Sequence, residues 1–451
     1  MTQSPELPPH VRALLRQAEV PGFDRWLAMV KATGGCSHPI RLVGETTTYD
    51  VGTGEVLHRF STADEPPGYL LVACKNRRAS VCPTCAETYR RDAFQLLRAG
   101  LSGGKGVPDD VRRHPRLFLT VTAPSFGPVH TRRTRNGQPA PCLPRRDPGL
   151  CRCGRPIVCH ATHTADDPLP GEALCPDCYD YPGAVLWNAH AGALWRRFTT
   201  YLTRALAAGT GRSRTQLRRE LRLSYAKVAE YQARGLVHLH AVIRLDGPDG
   251  PDQPPPPWAD LDLLTDAIAA AHTTAALPAP VPAYRQPVRY GPQIDLRPIA
   301  EFGTGEDITE DRVAGYIAKY ATKGAETAGT VDRPIRTASA IPYLDVTDHA
   351  RRMIHTCWLL ADMPEYADHG LRCWSHALGY RGHFLTKSRA YSTTFDAIRS
   401  ARAAHRSAEA QDRWGLHPDT HAEVVKTWAY VGRDHMPAAA SLNARPGRPQ
   451  P

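Results

Sequence analysis

Apolar residues recur at strand and helix periods in distinct blocks along this chain. Leu223 to Tyr231 and Leu236 to Leu245 are two apolar runs divided by a polar turn, which predicts a hairpin around Arg234-Gly235. Leu117-Phe118-Leu119-Thr120-Val121-Thr122-Ala123-Pro124 is rich in β-branched residues and stops at proline, as a core strand does. Helical spacing marks Val11 to Lys31 within a helical region reaching about residue 35, then Ala86 to Leu101, the basic amphipathic stretch Val185 to Leu206, Leu261 to Ala271 and Thr309 to Lys323. Ala422 to Val431 predicts one further short helix. Thr46 to Val72 reads as short strands with Gly/Pro turns, and Val288 to Arg297 as extended chain. Pro248 to Pro257 is a loop, because its four consecutive prolines leave no backbone donors for a sheet. Pro437 to Pro451 reads as a disordered tail.

The predicted elements place chemistry-bearing side chains together. Alternate residues of a strand share a face, so His238 and His240 project the same way while Leu239 packs into the core. Across the hairpin Glu230 and Gln232 share a face, and one of them can add an oxygen ligand. Glu230 is favoured over Gln232, because a carboxylate neutralises Mg²⁺ or Mn²⁺ better than an amide. Such a site stays partly open and can take a phosphate oxygen. On the Thr309 to Lys323 helix, Tyr316 and Tyr320 stand four residues apart, as do Lys319 and Lys323. Side chains at that spacing are neighbours, about 5–6 Å apart at Cβ. Both phenols can therefore face one scissile phosphate, with the lysines stabilising charge on phenolate and phosphate. A tyrosine nucleophile keeps the bond energy as a 5′-phosphotyrosine and frees a 3′-hydroxyl. Taken singly, a His-x-His strand is more often structural and a helical tyrosine pair is usually packing; their joint presence in this order points to strand cleavage.

Composition narrows the class. At 451 residues and 42% hydrophobic content the chain is long enough for two or three domains with real cores. A net charge of +11 argues for a polyanionic partner. There is no apolar run of membrane-spanning length and no signal-peptide pattern at the start, so a cytoplasmic protein with no membrane partner is expected. In a reducing cytosol the twelve cysteines are better read as metal ligands than as disulfides. Cys82 and Cys85 form a Cys-x-x-Cys turn that, with Cys74 and Cys36, suits a structural zinc. A polar insertion after the Leu117 strand supplies a second zinc set: Cys153, Cys159, Cys175 and Cys178 are the first choice, with Cys151 or His160 as substitutes.

These motifs carry a specific resemblance. Phe118-Leu119-Thr120-Val121-Thr122, Arg234-Gly235-Leu236-Val237-His238-Leu239-His240-Ala241-Val242-Ile243 and Tyr316-Ile317-Ala318-Lys319-Tyr320 resemble the three motifs of rolling-circle replication initiators of the HUH endonuclease superfamily, closest to those of actinomycete plasmids and integrative conjugative elements. Gly379-Tyr380-Arg381-Gly382-His383-Phe384-Leu385-Thr386-Lys387 and the cysteine-rich insertion are similar to that branch, so the likeness covers residues 35 to 400. The resemblance implies an α+β fold: a five-stranded antiparallel sheet flanked by helices, the His pair on a central strand, and zinc-binding modules at the N-terminus and in the insertion. Glu230 falls where viral relatives place a third metal ligand. Both tyrosines match the two-tyrosine phage pattern, and single-tyrosine relatives align their nucleophile with Tyr320, which makes Tyr320 the expected initiator.

The implied activity is a single-strand DNA nickase-ligase acting on single-stranded or hairpin origin DNA, with Mg²⁺ or Mn²⁺ as catalytic ion and Zn²⁺ as structural ion. The absence of a Walker motif implies a host helicase for unwinding, with a host polymerase extending the 3′-end. The competing readings are a relaxase or transposase of the same superfamily and a non-enzymatic zinc-finger DNA-binding regulator. The expected domains are an N-terminal zinc-binding region at 1–104, a nickase domain at 115–330 with its insertion at about 131–182, a C-terminal extension at 331–400 and a basic, partly disordered tail at 401–451.

Overall fold

The computed structural model describes residues 18–299, 309–413 and 421–436, together with Arg12, Leu15 and Arg16. Part of the helix expected from Val11 and the whole Pro437 to Pro451 tail lie outside the described residues. The chain divides into two units, residues 1–92 with 394–451, and residues 93–393.

In the first unit, α1 (Phe23–Ala32) starts after Gly22 and buries Trp26, Met29 and Val30. Strands β1 (Ile40–Asp50), β2 (Val56–Ser61) and β3 (Leu70–Val72) follow, and α2 (Pro83–Ser102) begins in this unit and runs on into the second. In the second unit the chain continues through β4 (Arg116–Val121), β5 (Arg133–Arg135), β6 (Gln138–Ala140), α3 (Tyr181–Gly209), α4 (Arg214–Glu220), β7 (Arg222–Tyr231) and β8 (Val237–Asp246). Then come α5 (Leu261–Thr274), β9 (Ala276–Leu277), β10 (Val288–Arg289), β11 (Ile294–Pro298), α6 (Glu310–Ala321), α7 (Asp348–Ala361) and β12 (Leu385–Lys387). It returns to the first unit as α8 (Phe395–Arg413) and β13 (Ala422–Arg433).

The short helix expected over Ala422 to Val431 is instead strand β13, paired antiparallel with β1 from Ile40↔Arg433 to Asp50↔Ala422. Val424, Val425, Thr427, Trp428, Tyr430 and Val431 are β-branched or aromatic, and their preference for a pleated surface is satisfied by the edge of β1. The two strands approach so closely that a Cβ at Gly44 would lie 1.7 Å from the Thr427 carbonyl oxygen; with φ at 145°, only glycine fits. Residues expected as a tail thus complete the N-terminal sheet.

The second unit is built on a five-stranded antiparallel sheet in the order β11-β4-β8-β7-β12. Its edge strand β12 comes from the segment expected as a C-terminal extension. One sheet face is apolar: Leu117, Leu119 and Val121 of β4 and Leu239, Ala241, Ile243 and Leu245 of β8 share a core with Leu194, Trp195, Phe198, Leu202 and Leu206 of α3. Each of the Leu, Ile, Val and Phe side chains contributes roughly 1.5–3 kcal/mol when fully removed from water. The strand period then sends Phe118, Thr120, His238 and His240 to the opposite face.

The β7-β8 turn is held on three sides. Buried Asn188 of α3 donates to the Gly235 and Leu378 carbonyls, and its oxygen accepts from Val237 N–H. The Arg234 guanidinium donates to the carbonyls of Ala123 and Pro124, tying the turn to the end of β4. No helix among the described residues is long and apolar enough to cross a membrane.

Candidate active site and metal centres

Antiparallel pairing sets Glu230 of β7 directly opposite His238 of β8 and brings His240 opposite Val228. His238 Nε2 and His240 Nε2 each lie 2.9 Å from the same Glu230 Oε2 and 3.0 Å from one another. Ligand atoms about 3 Å apart are spaced as adjacent corners of an octahedron with metal–ligand distances of roughly 2.0–2.1 Å, so the donor set suits one divalent ion with its other positions open. Thr120 Oγ1, 2.9 Å from His240 Nδ1, fixes the ring with Nε2 toward Glu230. Phe118 stacks parallel to the same imidazole at 5.8 Å. Gln232 points elsewhere and accepts from Arg234 Nε at 2.9 Å.

Burial opposes the Glu230 carboxylate, but hydrogen bonds from His238 and His240 outweigh it and hold its pKa at about 2. The group is ionised at neutral pH. Burial lowers His240 below the ordinary imidazole value despite its bond to Glu230, which favours the neutral ring that ligates metals.

Helix α6 carries the tyrosines over this face. Thr309 caps its N-terminus, and Val313, Ala314, Ile317, Ala318 and Ala321 form its buried stripe. That stripe leaves Tyr316, Lys319 and Tyr320 on its more open side. Tyr316 Oη lies 3.2 Å from His240 Nε2 and 3.3 Å from Glu230 Oε2. The Tyr320 ring stands 4.7 Å from that of Tyr316 and 6.1 Å from His240. Lys323 Nζ and Lys319 Nζ lie 4.9 Å and 5.6 Å from the Tyr320 ring centre, close enough for cation–π attraction. Burial, and then the Glu230 charge, raise both phenols above the ordinary tyrosine value.

The helix is anchored by an interaction with no local sequence signal. Buried Glu310, in the first turn of α6, pairs with buried Arg116 at 2.5 Å and accepts from Ser102 Oγ at 2.6 Å.

Cys36, Cys74, Cys82 and Cys85 converge in the first unit. Cys36 Sγ is 3.8 Å from Cys82 Sγ, and Cys74 Sγ is 3.7 Å from Cys85 Sγ. A tetrahedral ion at roughly 2.3 Å from each sulfur requires edges of about 3.8 Å. A hydrogen bond from Cys85 brings the Cys36 thiol down to about 5, toward the thiolate that binds metal.

In the insertion the four-sulfur group is Cys151, Cys153, Cys175 and Cys178. Cys159, expected there, lies elsewhere: it is bridged to Leu143, and its Sγ faces His163 Nε2 at 3.7 Å. The Cys151 to Arg155 turn, closed by Cys151 N–H to the Arg155 carbonyl at 2.9 Å, brings Cys151 Sγ to 3.1 Å from Cys153 Sγ instead. His160 is exposed and belongs to none of the metal-ligand groups among the described residues. A further group, His130, Cys142, Cys159 and His163, has as its local signal the Cys159-x-x-x-His163 spacing, which the adjacent Cys159-His160 pair obscures.

Fold and site together define a mixed α/β protein with antiparallel sheets and clusters of metal-ligand type. Residues 22–445 match the family described as Replication initiator protein, pSAM2 (RepSA), and the chain belongs to that family. It is 49% identical over 440 residues to a replication initiator protein of Streptomyces ambofaciens, covering 96% of this chain and 91% of that protein. No solved structure matches the chain.

Proposed function

We propose that the chain is a cytoplasmic initiator of rolling-circle replication that nicks one strand of origin DNA in the manner of the HUH superfamily. The observation that carries this reading is the convergence of Glu230, His238 and His240 within 3.0 Å beneath a helix whose Tyr316 hydroxyl reaches the same atoms and whose Tyr320 lies beside it. Mg²⁺ or Mn²⁺ held by the three residues would polarise the scissile phosphoryl group.

Tyr320 Oη attacks that phosphorus. The new bond forms as the bond to the 3′-oxygen breaks, leaving a 5′-phosphotyrosine and a 3′-hydroxyl that collects the proton and primes synthesis by a host polymerase. Lys319 and Lys323 flank the Tyr320 ring, and their charges would stabilise the negative charge that develops as its phenol, raised by burial and Glu230, gives up its proton to react. Tyr316, whose hydroxyl touches Glu230, serves the second transfer that closes the circle. The four-cysteine sites hold structural Zn²⁺, and a host helicase opens the duplex.

The test is a denaturing gel of the protein incubated with a single-stranded origin hairpin and Mg²⁺ or Mn²⁺. A covalent adduct whose DNA-linked peptide carries Tyr320 is expected. An adduct on neither tyrosine overturns the mechanism, and an adduct on Tyr316 alone inverts the two roles.

A further inference from the structure

The cysteine-rich insertion contains very little that could fold it. Its regular elements are the three-residue strands β5 and β6, and from residue 131 to residue 170 the only buried side chains are Cys142 and His163. A segment with so small an apolar core needs another source of order. Both buried side chains belong to the group His130, Cys142, Cys159 and His163, whose ligand atoms all lie within 4.8 Å of one another.

The spacing inside this group is that of a tetrahedral site. His130 Nδ1 lies 3.3 Å from His163 Nε2, and Cys159 Sγ lies 3.7 Å from the same nitrogen. With metal–nitrogen distances of roughly 2.0–2.1 Å and metal–sulfur of roughly 2.3 Å, tetrahedral edges come to about 3.4 Å for a nitrogen pair and about 3.6 Å for sulfur and nitrogen. Groups behind the ligands are arranged to match. His163 Nδ1 lies 2.6 Å from Asp167 Oδ2, so its proton is held on that side and the Nε2 lone pair faces the cluster. Thr131 N–H points at Cys142 Sγ at 3.1 Å, a donor suited to a thiolate. Paired hydrogen bonds between Leu143 and Cys159, at 2.8 Å and 3.1 Å, hold the two cysteine-bearing segments side by side. His130 is fixed by its N–H to the Glu172 carbonyl and by Gly171 N–H to its own carbonyl, each at 2.8 Å.

We infer that His130, Cys142, Cys159 and His163 bind a structural zinc ion, separate from the four-sulfur site of Cys151, Cys153, Cys175 and Cys178, with Asp167 as the positioning residue for His163. Two sulfurs and two imidazoles in a closed tetrahedron select Zn²⁺ over the oxygen-preferring Mg²⁺ and Mn²⁺. The insertion is thereby braced at two points, one ion gathering residues 130–163 and the other residues 151–178.

The test counts metal in full-length protein carrying His238→Ala and His240→Ala, so that only the cysteine-containing sites contribute. Elemental analysis is expected to give three zinc per chain, and adding His163→Ala is expected to leave two, with tryptic cleavage appearing between Arg132 and Arg155. Should His163→Ala fail to fold, Asp167→Asn keeps all four ligands and is expected to release one zinc to a chromogenic chelator about 10–100-fold more readily. Cobalt substitution of the parent protein should show a mixed sulfur–nitrogen spectrum that His163→Ala, or a chelator-treated Asp167→Asn protein, lacks. Zinc content unchanged by His163→Ala overturns the inference, as does unchanged zinc release by Asp167→Asn.

Discussion

Glu310 at the start of the tyrosine helix pairs with Arg116 at the start of β4, and both side chains are buried. A charge pair out of contact with water is costly to break, because the remaining partner keeps its desolvation penalty without its counter-charge. The pair fixes the first turn of α6 to the strand that also carries Phe118 and Thr120, so it sets the height of the two phenols above the histidines.

Glu310→Ala is therefore expected to destabilise the protein by about 3–5 kcal/mol. Chemical denaturation followed by tryptophan fluorescence measures this. A loss below 1 kcal/mol would mean that the helix is held by its apolar stripe alone.

Tyr320→Phe keeps the ring between Lys319 and Lys323 and removes only the oxygen. The covalent adduct is expected to vanish while far-ultraviolet circular dichroism is unchanged. Tyr316→Phe should still nick, losing only the hydroxyl that meets Glu230 and His240, and replication products should accumulate as unreleased multimers.

Nicking should cease with a chelator and return with Mg²⁺ or Mn²⁺. His238→Ala or His240→Ala is expected to abolish cleavage, with duplex-origin binding within a few-fold of the parent, because phosphate contacts by basic side chains dominate affinity. Full cleavage by the double variant would exclude the site.

Lys227 lies under α3, 4% exposed, its ammonium 6.0 Å from the Trp195 ring centre, and burial lowers its pKa from 10.5 to about 8. Between those values the unfolded chain holds the proton and the folded protein sheds it, so stability rises with pH across this window. Below pH 8 the cost of the buried charge is present in full. Lys227→Met is expected to raise stability at pH 7 by roughly 2–3 kcal/mol, and the gain over the parent should shrink toward pH 10.5. Paired melts at pH 7 and pH 10 read the difference; an equal gain at both would assign it to packing.

Cys82→Ser should lower the melting temperature and release zinc, since a structural ion contributes directly to folding free energy. Selective loss of cleavage with normal stability would contradict a structural role.

What the amino-acid sequence determined by itself is what depends on short separations. The His-x-His period puts both imidazoles on one strand face, the turn at Arg234-Gly235 brings Glu230 back across from them, and the i, i+4 spacing stacks two phenols on one helix. These follow from backbone periods of two and 3.6 residues, which hold whatever the rest of the chain does. Tertiary structure alone decided the pairings between distant segments. The segment Ala422 to Val431 carries apolar residues compatible with either period, and it became a strand because β1 had an edge to offer. Cys159 left the expected four-sulfur set because its bridge to Leu143 turns it toward His130 and His163, while Cys151 closed onto Cys153. The Arg116–Glu310 pair joins residues 194 positions apart. No local pattern encodes such contacts, because which distant groups meet is set by how the sheets and helices bury their apolar faces together.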